Sequence, residues 1–392
     1  MKRLLPAILA LLLLVLAPAA AGASSSDPYC TGTYGNVAPR AAGPLRFGID
    51  PGLAGSAGGV QLPSTPDNPA KDFAGVKALD PRGSQLVVRL NRLFWSDGQH
   101  GIDAFRAQVT RYTRAGFDVE LQVRYHPASG DAGDIPMWLR YVRHVVDTFG
   151  PNRHVISMTI TNEVNLTFSP NTSDGSYSGA EDALIQGIEA AHAEAVRMGF
   201  KQLRFGFTYA YRFSPQSDAS FFSYLGARGG RRFRAALGFV GLDFYPGTVY
   251  PPAMTPGDTY TADLAQAAGA VRNCFAPIAG IGRRTPIWIT ENGIPTGVLS
   301  DAQQAAALNE LVTAVHRYSG TFNITDYRWF NLRDSTSTGP STLIGVTFSS
   351  DGLLRDDYTA KPSFATYRAL IARWGTRITS PVKRTYRDLT AR

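Results

Sequence analysis

Eight short apolar runs recur along the chain, and they are separated by longer stretches in which apolar residues repeat with the period of a helix. Runs of this length without polar alternation are typical of strands buried on both faces, as in a parallel sheet. They begin near Leu45, Gln85, Asp118, Val155, Leu203, Phe239, Pro286 and Ile324. The amphipathic stretches cover residues 103–116, 137–149, 179–198, 262–274, 301–318 and 362–374.

This alternation predicts an α/β fold, a single-domain (β/α)8 TIM barrel over residues 45–376. A doubly wound open sheet is the alternative, but it usually carries a Gly-rich phosphate-binding turn after the first strand. The segment 48–52 lacks that spacing. Ser300 followed by Gln303 has the pattern of a capping box and predicts a helix that begins at Asp301. A long Gly/Pro-rich loop over residues 51–72 is predicted to form one wall of a cleft.

The two ends of the chain differ from the predicted barrel. Residues 1–23 have a basic start, an apolar run and a small-residue cleavage site, which predicts a secretory signal peptide. An uncleaved anchor is the alternative, although the apolar run is shorter than the ~20 residues that span a membrane. Residues 24–44 form a Ser/Gly/Pro-rich leader, and residues 377–392 form a basic tail. We therefore expect a secreted, extracellular protein without a membrane span.

Composition narrows the range of partners. The formal net charge is +8, but only six of the cationic residues are lysines, and basic runs such as 231–234 are short. Since no recognition motif accompanies them, a nucleic-acid partner is not expected, and a solvated basic surface or attraction to anionic polymers remain as explanations. Cys30 and Cys274 could form one disulfide in an oxidising exterior or remain as two buried thiols. No pattern indicates an oligomeric state.

Two glutamates, Glu163 and Glu291, each close a predicted buried strand. In a parallel barrel the carboxyl ends of the strands line one face, so both acids can meet across one pocket. Two carboxyl groups that flank a scissile bond are what glycoside hydrolysis requires. The alternatives are that Glu163 caps the following helix and that Glu291, followed by Asn292-Gly293, belongs to a hairpin turn. A helical pattern follows Gly293, which weakens the hairpin.

The segments around these glutamates resemble the glycoside hydrolases of clan A, which include cellulase-like barrels of families 5 and 39. Asn162-Glu163 is similar to the motif at the end of their fourth strand, and residues 289–293 are similar to the motif at the end of the seventh. The resemblance implies a retaining β-glycosidase in which Glu163 is the acid/base and Glu291 is the nucleophile. It implies a carbohydrate substrate and neither a cofactor nor a metal. Val164 departs from the pattern, because many clan members have proline there.

Other residues match the clan pattern on single strands. Arg89 resembles the arginine that holds the nucleophile ionised, and Arg92 is its rival if the strand register shifts. Asn162 resembles the amide that binds the sugar hydroxyl beside the reacting carbon.

Three further residues are candidates for substrate binding. Tyr245 resembles the tyrosine that contacts the nucleophile, and Trp329 resembles the tryptophan under the sugar, although it could equally be core. His126 could line the same subsite or cap its strand. Additional aromatic platforms for a sugar chain are predicted at Trp95, Trp138, Tyr209, Tyr211 and Tyr250, all of which could be core instead.

Other functional classes fit the chain less well. The six histidines are scattered rather than paired for a metal, and the serine in 175–179 is misplaced for a serine hydrolase. The remaining alternatives are an inactive carbohydrate-binding barrel and a transglycosylase, which would use the same intermediate. A cleft for a β-linked oligo- or polysaccharide is favoured over an exo-acting pocket because of the long first loop and the aromatic residues.

Overall fold

The computed structural model contains a closed barrel of eight parallel strands that follow one another in sequence order. It describes residues 27–52, 65–81, 83–170, 172–212, 214–248, 257–297, 299–337 and 349–377. The barrel confirms the predicted (β/α)8 fold and excludes the open sheet. Among the described residues, no helix combines the length and the apolar character needed to cross a membrane. The predicted signal peptide and nearly all of the basic tail lie outside the described residues.

The strands are short and almost entirely buried. They are β1 Arg46–Ile49, β2 Val87–Phe94, β3 Asp118–Arg124, β4 Val155–Ile160, β5 Arg204–Ala210, β6 Phe239–Asp243, β7 Ile287–Glu291 and β8 Ile324–Trp329. The helices are α1 Pro69–Leu79, α2 Gly98–Arg114, α3 Ile135–Phe149, α4 Ala180–Met198, α5 Pro215–Arg228, α6 Gly230–Ala236, α7 Tyr260–Ala270, α8 Ala276–Ile278, α9 Asp301–Phe322 and α10 Pro362–Trp374.

The predicted strands begin within two residues of the observed ones, because continuous apolar runs mark buried strands clearly. The capping box is present as predicted: the Ser300 side chain accepts from the Gln303 backbone N–H, and the Gln303 side chain reaches back to the Ser300 backbone. The extent of the first loop was wrong at its end, since α1 begins at Pro69 with Asn68 as its N-cap. Residues 53–64 of that loop lie outside the described residues.

The leader is bound to the outside of the barrel. A disulfide joins Cys30 to Cys274, 244 residues apart, so the two cysteines are not free thiols. Further along the leader, the Tyr34 backbone N–H donates to Gln266 Oε1 of α7 at 2.7 Å. The Arg40 carbonyl accepts from the Gly320 N–H near the end of α9 at 2.7 Å. These contacts make the described leader a strap over the helical layer.

Charged side chains fill part of the barrel interior. Glu120 of β3 accepts from Arg89 Nε at 3.1 Å and from Arg328 Nη2 at 3.1 Å. Arg328 Nη2 also donates to Asp326 Oδ1 at 2.9 Å. Gly48 makes room for this chain, because a Cβ there would lie 2.3 Å from Arg328 Cδ. Arg89, Glu120, Arg328 and Asp326 thus form one connected chain of ion pairs under the catalytic face, called the ion chain below. Each buried charge in it has a partner of opposite sign, without which its burial would be costly.

Candidate active site

The backbone turns sharply where β4 ends. Thr161 and Glu163 have φ angles of 67° and 46°, in the left-handed region that non-glycine residues rarely adopt. Such a conformation costs on the order of 1–3 kcal/mol for each residue and persists only where neighbouring contacts fix it. One of these contacts is made by the Glu163 N–H, which donates to Thr208 Oγ1 of β5 at 3.2 Å. The turn holds the Glu163 side chain at the mouth of the barrel.

Asn162 is fixed by hydrogen bonds on every polar group. Its backbone N–H donates to Asp174 Oδ2 at 2.9 Å, and its Nδ2 donates to the Thr172 carbonyl at 2.8 Å. Its Oδ1 accepts from Gln122 Nε2 at 2.5 Å and from Thr208 Oγ1 at 2.8 Å. The Asn162 amide is therefore preorganised beside Glu163, where a sugar hydroxyl would be bound according to the sequence-based prediction.

Glu291, the last residue of β7, is held by two donors. Arg89 Nη1 donates to Glu291 Oε1 at 2.7 Å, and Tyr245 Oη donates to Glu291 Oε2 at 2.9 Å. Burial raises the pKa of Tyr245 well above its usual value, and the charge of Glu291 raises it further. The tyrosine consequently keeps its proton and acts as a donor. A carboxylate between a guanidinium and a hydroxyl is stabilised in its charged form.

The register of β2 decides between the two candidate arginines. The pairing of β2 with β3 shifts between Leu90 and Leu93, and Arg92 lies in that irregularity with φ 66°. Arg89 precedes the shift, is fully buried and makes the ion pair with Glu291. The structure thus brings Arg89, rather than Arg92, into contact with Glu291.

The two glutamates lie close together, with a third carboxyl group beside them. One carboxylate oxygen from each of Glu163, Asp243 and Glu291 lies within 4.8 Å of the other two. Burial raises the pKa of Glu163 well above its usual value, the charges of Asp243 and Glu291 raise it further, and Arg124 and Arg89 oppose them. Glu163 is thereby suited to hold a proton.

Asp243 was missed by the sequence analysis, although it ends β6 within a segment that was considered only for Tyr245. The signal was present, because an acid that closes a buried strand was the criterion that selected both glutamates. Asp243 is buried and accepts from Thr290 Oγ1 at 2.7 Å. Burial raises its pKa well above the usual value, as does the charge of Glu291, against the opposing charge of Arg89.

His126 lies at the end of β3, where it is half-buried rather than grouped with the carboxyls. Its Nδ1 is 3.2 Å from Ser96 Oγ, and its ring packs against Phe94 and Tyr177 with centroids 4.7 and 5.2 Å away. Burial lowers its pKa, as does the nearby Arg124. Its predicted contact with substrate stays a prediction.

Trp329 is not placed as a sugar platform. Its side chain is fully buried, packs toward Tyr367 of α10 with centroids 6.4 Å apart, and donates from Nε1 to the Asp351 carbonyl at 3.0 Å. Side chains alternate along a strand, and Arg328 occupies the inward position. The alternative in which Trp329 is core is therefore correct.

The other predicted aromatic platforms are also largely core. Trp138 donates from Nε1 to the Ala183 carbonyl between α3 and α4, and Tyr209 packs edge-on against Phe222 of α5. Both side chains are fully buried, so the platform prediction was wrong for them. Trp95 and Tyr211 are buried as well, and Tyr250 lies outside the described residues.

A cation could in principle bind to the three carboxyl groups. Hard cations such as Ca²⁺ and Mg²⁺ prefer oxygen ligands, and Glu163, Asp243 and Glu291 each offer one. However, the Arg89 guanidinium already contacts Glu291 at 2.7 Å and compensates its charge. The donor set therefore fits a proton-sharing carboxyl cluster that is partly neutralised by an arginine.

The comparisons with solved structures show the same fold. The chain is 16% identical to a GH5_18 protein from Streptomyces cattleya in complex with Manb1-4GlcNAc, with 86% of this chain and 82% of that chain covered and a TM-score of 0.57. It is 14% identical to a β-glucosidase from Thermotoga maritima in complex with methoxycarbonyl-substituted glucoimidazole, covering 87% of this chain and 100% of that chain with a TM-score of 0.59. No protein-family model and no curated protein matches the chain.

Proposed function

We propose that this chain is a secreted retaining glycoside hydrolase that cleaves O-glycosidic bonds of a β-linked oligo- or polysaccharide. The observation that carries the proposal is the approach of Glu163 and Glu291, which brings one carboxylate oxygen of each within 4.8 Å of the other. Retaining glycosidases have carboxyl groups about 5–5.5 Å apart, whereas inverting enzymes leave about 6.5–9.5 Å for a water molecule. The short separation favours attack by a carboxylate over attack by water.

The environments of the two glutamates assign their roles. Glu163 is buried beside two other carboxyl groups, which raises its pKa and favours a protonated general acid. Glu291 receives hydrogen bonds from Arg89 and Tyr245, which favour an ionised nucleophile. Two acids whose surroundings push their protonation in opposite directions are the pair that this chemistry needs.

The reaction then proceeds in two displacements. In the first, Glu163 protonates the leaving oxygen as the glycosidic bond breaks and Glu291 bonds to the anomeric carbon. In the second, Glu163 removes a proton from water, water bonds to that carbon, and the ester to Glu291 breaks. Two inversions give net retention of the β configuration.

Secretion is part of the proposal and is supported by two features. Residues 1–23 have the pattern of a signal peptide. The Cys30–Cys274 disulfide is of a kind that persists in oxidising environments outside the cytoplasm. The substrate class is supported by the sugar-derived ligands in the similar structures and by the open cleft that the sequence predicts.

The first test is hydrolysis of aryl β-glycosides and a β-glucan and β-mannan panel, with proton NMR of early product. We expect the β-anomer first and mixed oligomers early. Initial α-product would contradict the retaining mechanism, a monosaccharide alone from polymer would contradict internal cleavage, and binding without turnover would indicate an inactive barrel.

The second test separates the roles of the glutamates. Glu291→Gln should abolish turnover of every substrate, whereas Glu163→Ala should retain activity on glycosides with good leaving groups and respond to azide. Glu189→Gln makes the same chemical change on α4 and serves as the control. Equal loss of activity in both site variants with an activated aryl glycoside would overturn the assignment.

A further inference from the structure

Asp243 lies beside the two glutamates and makes no ion pair with a described residue. Its Oδ1 accepts from Thr290 Oγ1 at 2.7 Å, while its Oδ2 is buried and has no hydrogen-bond partner among the described residues. One of its oxygens lies within 4.8 Å of oxygens of both Glu163 and Glu291. A buried carboxyl oxygen with no donor is costly, so its presence in the site needs a functional explanation.

Two arginines near this cluster make their ion pairs with carboxylates other than Asp243. Arg89 of β2 binds Glu291 and, through Nε, Glu120. Arg124 of β3 donates from Nε to Asp174 at 2.8 Å. Within the described part of the chain, Asp243 makes no ion pair, so its charge acts on the other carboxyl groups uncompensated by direct contact.

The groups that face Glu163 come from four strands. Asp243 of β6 and Glu291 of β7 add negative charge, and Arg124 of β3 and Arg89 of β2 oppose them. The Tyr245 hydroxyl, which follows β6, donates to Glu291 and remains neutral. Of the two neighbouring acids, only Asp243 lacks a contacting cation.

We propose that Asp243 is a positioning residue of the reaction: it ionises before Glu163, and its negative charge then opposes ionisation of Glu163 and so keeps the acid/base protonated. This inference rests on the proposed glycosidase function, and it adds a third carboxyl group to the two that the chemistry requires. Asp243 acts through Glu163 and need not touch the sugar.

The charge of Asp243 persists when that of Glu291 is lost. Once Glu291 has formed an ester with the sugar it is neutral, so it no longer raises the proton affinity of Glu163. Asp243 remains beside Glu163 in that intermediate and strengthens it as the base that takes the proton from water. Asp243 therefore supports both displacements, and its removal should affect the second one separately.

The test is the pH profile of Asp243→Asn, which removes the charge and keeps an oxygen acceptor for Thr290. A unit charge within 4.8 Å, acting through an effective dielectric constant of about 20, corresponds to a shift on the order of two pH units. We expect the alkaline limb of kcat/KM for a glycoside with a poor leaving group to move to lower pH. With a dinitrophenyl glycoside, kcat and KM should both fall while kcat/KM is preserved.

Asp218→Asn is the matched control. Asp218 is likewise fully buried and accepts from Asn165 Nδ2 at 2.7 Å, but it lies on α5 outside the carboxyl cluster. We expect its alkaline limb to stay at the wild-type position. An unmoved limb in Asp243→Asn, or an equal shift in Asp218→Asn, would overturn the proposal. Asp243→Ser is a second neutral variant that decides the question if the asparagine variant does not fold.

A measurement without substrate separates this inference from the proposed function. The chain has seven glutamates, so ¹³C NMR of labelled glutamate carboxyls gives few signals, and Glu163→Gln assigns one of them. In Asp243→Asn the Glu163 signal should titrate at a lower pH than in the unsubstituted protein. An unchanged midpoint refutes the role of Asp243, whereas absence of turnover with a shifted midpoint refutes only the glycosidase proposal.

Discussion

Replacement of Tyr245 by phenylalanine removes the hydroxyl group that donates a hydrogen bond to the nucleophile. Tyr245 Oη donates to Glu291 Oε2 at 2.9 Å, and the phenylalanine ring fills the same volume. A hydrogen bond to a charged group contributes about 1.5–3 kcal/mol, which corresponds to roughly 10- to 150-fold in rate. Without this donor, the charge of Glu291 is stabilised by the hydrogen bond from Arg89 alone. We therefore expect Tyr245→Phe to lose activity by that factor.

The assay is kcat/KM for an activated aryl β-glycoside at the pH optimum of the unsubstituted protein, together with a thermal melt. Tyr367→Phe is the matched control, because the Tyr367 hydroxyl is also buried but donates to the Gly48 carbonyl at 2.6 Å, under the barrel wall. It should lower stability with little change in kcat/KM. A Tyr245→Phe variant within threefold of the original activity, or an equal loss in Tyr367→Phe, would refute the reasoning.

Two further predictions concern stability. Replacing Cys30 and Cys274 by serine removes a disulfide between residues 244 apart in the sequence. The chain-entropy model predicts that the free energy of unfolding falls by up to about 5 kcal/mol, which urea unfolding should detect. Added reductant should have the same effect on the unsubstituted protein. Burial raises the pKa of Asp218 from 3.8 to about 7, against the hydrogen bond from Asn165. Because the folded state then binds its proton more tightly than the unfolded state, this residue lowers stability as pH rises from 3.8 to about 7. Asp218→Asn should remove that slope between pH 4 and 7, and parallel unfolding curves for the two proteins would contradict the assignment.

The sequence predicted the barrel well because each strand is a continuous apolar run, as burial on both faces requires. It was less informative wherever the direction of a side chain mattered. Arg89 was the predicted partner of the nucleophile, but Arg92 stayed a rival, since the irregularity in β2 depends on pairing with β3. The platform and core alternatives for Trp329 were both left open, because an aromatic residue is compatible with either face of β8.

In the candidate site, too, the positions of residues on strands could be predicted from the sequence, whereas the contacts of their side chains could not. Glu163 and Glu291 were found because an acid at the end of an apolar strand is conspicuous in sequence. Asp174 accepts hydrogen bonds from the backbone N–H groups of Asn162 and Tyr125. It lies in a loop beyond β4, and no local sequence pattern predicts these contacts. Asp243 could have been found by the criterion that found the glutamates.

The ion chain inside the barrel extends the active site to residues that lie below the substrate-binding face. Glu291 is held by Arg89, Arg89 by Glu120, and Glu120 by Arg328, so the position of the nucleophile depends on groups that no sugar approaches. Shortening Glu120 to aspartate would withdraw its oxygens from two guanidinium groups at once and leave both buried charges without their partner. In a survey of single substitutions, intolerance should thus extend as a line down the barrel axis rather than end at the rim of the cleft.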